Sequence, residues 1–113
     1  MAQTLGDLLE ALEDVDDATR EEASKALAEL ADSTTLDALV GACGDEYWAV
    51  RAHAGRGVAR IGGAKAVEAL IVLFNDSIMD VRNDVVAAMA SMGAVVVDRL
   101  IAALKDERWR VRE

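Results

Sequence analysis

Proline is absent from the 113 residues, so no helix here has to accommodate a residue without a backbone N–H. Cysteine occurs once, as Cys43; that excludes an intrachain disulfide and agrees with a reducing compartment. Histidine also occurs once, as His53 between Ala52 and Ala54, with no second His or Cys at ligand spacing, which leaves no metal-ligand set. Aromatic residues make up only 4%, a poor stock for a cofactor pocket. No apolar run approaches the roughly 18 to 20 residues that cross a bilayer, and the first ten residues, MAQTLGDLLE, lack the basic start and apolar core of a secretory signal. Neither a Ser-His-Asp set nor a glycine-rich phosphate loop is present: Gly55, Gly57, Gly62 and Gly63 follow no strand. These absences point to a cytoplasmic protein without catalytic residues, metal or cofactor.

What is abundant is small and aliphatic. Hydrophobic residues form 53% of the chain, dominated by Ala and Val, which suits closely packed helices. A single domain of this size buries roughly 65% of its unfolded surface. Charge is unevenly placed. Residues 1 to 46 hold 13 acids against 2 bases, whereas residues 47 to 113 hold 8 acids against 10 bases, and the whole carries a formal charge of −9. An anion of this kind is a weak ligand for phosphate backbones, because nonspecific affinity for nucleic acid comes from clustered Lys and Arg.

The chain is built on a repeat. Aspartates stand at Asp14, Asp45, Asp76 and Asp106, and arginines at Arg20, Arg51, Arg82 and Arg112, in steps of 31, 31 and 30 residues. A fixed period of this length marks stacked supersecondary units. The copies run roughly over 14–44, 45–75 and 76–105, with half-copies at 1–13 and 106–113. Within each, apolar residues at helical spacing predict two helices. In the second copy Val50, Ala54, Val58 and Ile61 lie on one stripe, Gly62-Gly63 stops the helix, and Val67, Leu70, Ile71 and Phe74 form the next stripe. The third copy repeats this with Val81, Val85, Met89 and Met92, then Gly93, then Val97, Leu100, Ile101 and Leu104. The first copy is poorer: it has Thr19 for valine and Ala31-Asp32 for the glycine break, with Ala23, Leu27, Leu30 and Ala31 as its first stripe and Leu36, Leu39, Val40 and Cys43 as its second. Thr4 is placed to cap a leading helix carrying Leu5, Leu8, Leu9 and Leu12.

The segments DEYWAVRAHAGRGVARIGGAKAVEALIVLFND and DSIMDVRNDVVAAMASMGAVVVDRLIAALKD resemble the HEAT-like repeats of the phycobilisome-lyase type, and the resemblance extends over essentially the whole chain. It implies an all-α fold, a right-handed α-solenoid of about three helical hairpins, with first helices convex and second helices concave. It also implies that the recurring Asp and Arg form a ladder between repeats and cap the incoming helix.

With the second helices in register, one column reads Gly6, Asp37, Glu68, Asp98 and another Glu10, Gly41, Val72, Ala102. An acidic rail beside a small or apolar floor fits a partner helix or peptide bearing Lys, Arg and apolar anchors. The residues expected to meet it are Asp37, Glu68, Asp98, Gly41, Val72 and Ala102. A non-enzymatic protein-binding scaffold is therefore the leading reading. The alternatives are a bilin lyase or lyase-chaperone-like subunit, by resemblance only, and nucleic-acid binding through Arg51, Arg56, Arg60, Arg82, Arg99, Arg108, Arg110 and Arg112. The arginines are scattered without an aromatic stacking platform, which disfavours the last. Trp48, Met79 and Trp109 share a column three residues before the arginines and are expected to plug the space between repeats. Ile101, Leu104, Trp109 and Val111 predict an apolar C-terminal end open to pairing with a second copy.

Overall fold

A computed structural model describes residues 3–93 together with Asp98, Arg99 and Ala102. Among the described residues the bounded helices are α1 (Leu5–Ala11), α2 (Asp17–Leu30), α3 (Leu36–Ala42), α4 (Trp48–Ile61), α5 (Ala64–Leu73) and α6 (Met79–Met92). Among the described residues there is no strand, and Asp98, Arg99 and Ala102 are helical. The residues placed at 94–97, 100, 101 and 103–113, among them Val97, Leu100, Ile101, Leu104, Asp106, Trp109, Val111 and Arg112, lie outside this description.

Local chemistry sets the ends of the helices. The Thr4 hydroxyl accepts the Asp7 N–H at 3.1 Å while the Asp7 carboxylate accepts the Thr4 N–H at 3.2 Å, a reciprocal cap that opens α1. Asp16 opens α2 by accepting both the N–H and the hydroxyl of Thr19, at 3.0 and 2.7 Å. That hydroxyl, foremost, holds the Asp16 carboxyl below the usual carboxylate range. Both α4 and α6 end on left-handed glycines, Gly62 and Gly93 with φ of 83° and 97°. The first copy must use Ala31 at φ 49°, a conformation that costs a Cβ-bearing residue about 1–2 kcal/mol. A short 3-10 turn, Ser33–Thr35, follows it, capped by Asp32.

The helices pair as α2/α3 and α4/α5, and α4 lies at the centre, packed between α2 and α6 on its own layer and against α3 and α5 on the other. The second helices α3 and α5 touch each other much less extensively than the first helices do. The overall dimensions, 47 × 29 × 19 Å, are those of an elongated stack. The result is an α-solenoid. Its core is formed by Leu27, Leu39, Val50, Val58, Leu70, Leu73, Val81 and Val85, all fully buried, each worth roughly 1.5–3 kcal/mol of transfer free energy. Small residues let the first helices approach: a Cβ on Gly57 would lie 3.0 Å from Ala28 Cα and 2.9 Å from Leu39 Cδ1.

Some expected core positions are filled by neighbours. Leu30, one position short of the left-handed Ala31, is 57% exposed; the buried stripe of α2 runs through Arg20, Ala23, Ser24, Leu27 and Ala28 instead. Trp48 and Met79 are not plugs: they are 38% and 63% exposed. Each is the first residue of its helix, and the buried residues that follow them in the chain are Ala49, Val50 and Val81. In α5 the fully buried residue at the C-terminal end is Leu73, and Phe74 is half-buried.

Candidate functional site

The recurring Asp and Arg meet across repeats. Arg20 grips Asp45 with Nε at 3.0 Å and Nη2 at 3.2 Å, and Arg51 grips Asp76 in the same fork at 2.7 and 3.1 Å. Each guanidinium also reaches back to a backbone carbonyl: Arg20 to Asp14 and Arg51 to Asp45, both at 2.8 Å, and Arg82 to Asp76. Asp17 completes the shell of Arg20. These aspartates do not cap the helices themselves. Asp14, Asp45 and Asp76 accept the N–H two residues on, from Asp16, Tyr47 and Ile78 at 2.9, 2.8 and 2.9 Å, and so close the turn that precedes each first helix. At Asp76 burial opposes ionisation, but the hydrogen bonds from Arg51 and Ile78 and the charges of Arg51 and Arg82 outweigh it, and the carboxyl is held below its ordinary range. Asp106 and Arg112, the last rung by sequence, lie outside the described residues.

This arrangement turns the Asp45 and Asp76 carboxylates inward and pairs them, whereas that of Asp14 has no arginine partner among the described residues and stays exposed. The Cys43 thiol is buried and pushed up to about 12 by that burial, which leaves it a core side chain with no thiolate character at neutral pH. Among the described residues no group of three or more His, Cys, Asp or Glu could hold a metal ion, and no helix is long and apolar enough to cross a membrane.

The second-helix face is the exposed alternative. Asp37, Gly41, Glu68, Val72, Asp98 and Ala102 are all exposed. Asp37 is joined to Lys65 at the start of α5 by an ion pair of 2.9 Å that bridges neighbouring repeats, whereas Glu68 has no ion pair among the described residues. Asp37 and Gly41 also line an open groove of about 910 Å³ between α1 and α3. Leu9 and Leu12 form its apolar wall, and Glu13, Asp14 and Glu46 supply an acidic rim. Val15, 96% exposed, stands at the same mouth. Glu68 and Val72 are not part of this groove. Sequence columns missed Glu13, Asp14, Val15 and Glu46 because they sit in turns, not on the second helices; the trace was an apolar residue set among acids in EDVDD.

The sequence pattern of HEAT repeats matches residues 4–90. The chain belongs to the HEAT-repeat family. Its fold is similar to that of a chain in the complex of CpcE and CpcF of phycocyanin lyase from Nostoc sp. PCC7120, with a TM-score of 0.77 and 22% sequence identity. The likeness covers 95% of this HEAT-repeat chain and 44% of that one, so the chain spans less than half the length of its structural relative. Among curated proteins none has a sequence that matches it.

Proposed function

We propose that this HEAT-repeat chain is a non-enzymatic scaffold that holds a basic, amphipathic partner helix or peptide on its second-helix face, anchored in the groove between α1 and α3. The observation that carries this reading is the composition of that groove: the carboxylates of Glu13, Asp14, Asp37 and Glu46 stand beside Leu9, Leu12 and Val15. A partner helix would lay Leu- or Ile-type anchors on the apolar wall and Lys or Arg against the rim, with Glu68, Val72, Asp98 and Ala102 extending the track along later repeats. Electrostatic complementarity of this sort sets specificity and association rate more than affinity.

The test is binding of a labelled amphipathic peptide rich in Lys and Leu, followed by fluorescence anisotropy, against a matched peptide with Glu in place of Lys. The basic peptide should bind, weaken with salt as exposed charges are screened, and lose about tenfold in affinity to Asp37→Lys/Glu46→Lys, or roughly 1.4 kcal/mol. Equal binding of the two peptides would reject the groove as the docking site.

A second reading, a subunit of a bilin lyase, is favoured by one observation: the fold likeness to a phycocyanin lyase chain over 95% of this sequence. Incubation with a bilin and a phycobiliprotein subunit should then produce a new absorbance band, and an unchanged spectrum rejects it. Nucleic-acid binding is the weaker reading, because two of the arginines it would use are engaged, Arg51 with Asp76 and Arg56 with Asp84.

A further inference from the structure

On the first-helix layer, away from the acidic groove, α2, α4 and α6 enclose a smaller pocket of about 270 Å³. Its floor is apolar and shallow, made by Ala28, Ala59 and Ala88. Its walls are cationic. Lys25, Arg56 and Arg60 line it against a single carboxylate, Glu29, in a chain whose formal charge is −9. Arg56 is committed, donating to Asp84 at 2.9 Å and contacting His53 Nδ1. Lys25 and Arg60 are exposed and, among the described residues, have no carboxylate within ion-pair distance. Two uncommitted cations from different helices thus face one concavity, and helix packing fixes their backbones.

We infer that this pocket binds a doubly charged oxyanion, a phosphate monoester or sulfate, with Lys25 and Arg60 as the charge partners. Two free cations match two charges, and a guanidinium fork suits the oxygens of such a group. The volume is below the roughly 300–1,000 Å³ of drug-sized sites, which fits a small head group and no large ligand. The imidazole of His53, on the pocket wall, already senses the local field. Burial, foremost, and then the charge of Arg56 depress its pKa, with Lys25 adding to them, while Glu21 at 3.6 Å from Nε2 opposes them. The other charged groups around it are Glu29 and Arg60 on the pocket wall and Asp84 through Arg56.

His53 is the only histidine, so it reports on the site without ambiguity. Its imidazole resonances are titrated by NMR in millimolar sulfate and in chloride at matched ionic strength; sulfate keeps its two charges throughout the titration. An anion bound beside the ring favours the imidazolium, so sulfate should raise the His53 pKa by about half a unit to one unit, the size of a Coulomb interaction over roughly 6 Å near a protein surface. Lys25→Ala/Arg60→Ala should reduce that rise to less than about a quarter. Both residues are on the surface, and an unchanged circular dichroism spectrum with each single variant checks that the fold persists. A His53 pKa that is the same in sulfate and chloride, or a sulfate response that survives in the double variant, overturns the proposal. Competition against sulfate then separates the sources of the group. Equal displacement by glycerol phosphate and a phosphoserine peptide assigns the pocket to free anions, and an advantage of about tenfold for the peptide assigns it to a phosphorylated partner.

Discussion

Asp76 and Asp37 are both aspartates bound to a cation of a neighbouring repeat, and they do opposite things. The Asp76 side chain is 8% exposed and is held in a fork by Arg51, itself 14% exposed. It also accepts the Ile78 N–H, so one carboxylate joins two repeats and shapes a turn. Asp37 is 83% exposed and meets Lys65 through one contact of 2.9 Å. The buried pair cannot lose a member without stranding a charge, which costs about 3–5 kcal/mol in an interior. An exposed pair is worth about 0–1 kcal/mol because water and salt replace it. The inner seam of this solenoid is therefore a structural device, and the second-helix face can change at little cost to the fold.

The sharpest way to break the contrast is at the two aspartates. Asp76→Ala should cost about 3 kcal/mol by urea unfolding, and Asp37→Ala less than about 0.5 kcal/mol; similar losses would show that the seam and the face are energetically alike. Acid sharpens the same comparison. The folded-state pKa of Asp76 is depressed, so its contribution is complete above the unfolded aspartate value of about 3.9 and disappears as pH falls through the lower folded value. Asp76→Ala should flatten the acid limb of a stability–pH curve, and an unchanged limb would contradict this role.

Glycines give the next largest effect. Gly57→Ala puts a methyl group against the Ala28 backbone in the α2–α4 seam and should destabilise by about 2 kcal/mol through overpacking. Gly41, exposed on α3, has nothing within 4 Å of an added Cβ, and Gly41→Ala should stabilise by roughly 0.5 kcal/mol through helix propensity. Thermal melts that moved both variants in one direction would contradict the distinction. The smallest change separates the first copy from the others. Ala31→Gly relieves the left-handed alanine and should gain about 0.5 kcal/mol after the added unfolded-state entropy; a loss would mean that the Cβ of Ala31 makes a contact worth more than its strain.

Much of this architecture was legible because it repeats. The Asp and Arg steps mark the pairs that the structure joins, Thr4 opens its helix, and Gly62 and Gly93 stop theirs, each by chemistry confined to a few neighbouring residues. The exposure of Trp48 and Met79 was not legible, since an apolar residue at the first turn of a helix carries no sign of whether the next repeat reaches over it. Nor was the groove, whose acids sit in turns outside the helical columns. The cationic pocket was hidden because Lys25 and Arg60, on different helices, are 35 positions apart in the chain.

By itself the sequence determined the period, the helical spacing of apolar residues and the places where helices start and stop, because these depend on backbone geometry within a turn or two. Only the tertiary structure decided which charges are neutralised and which stay open. A side chain's neighbours across a helix seam come from residues about 25 to 35 positions away, and their distance, burial and orientation are fixed by packing that no local pattern records.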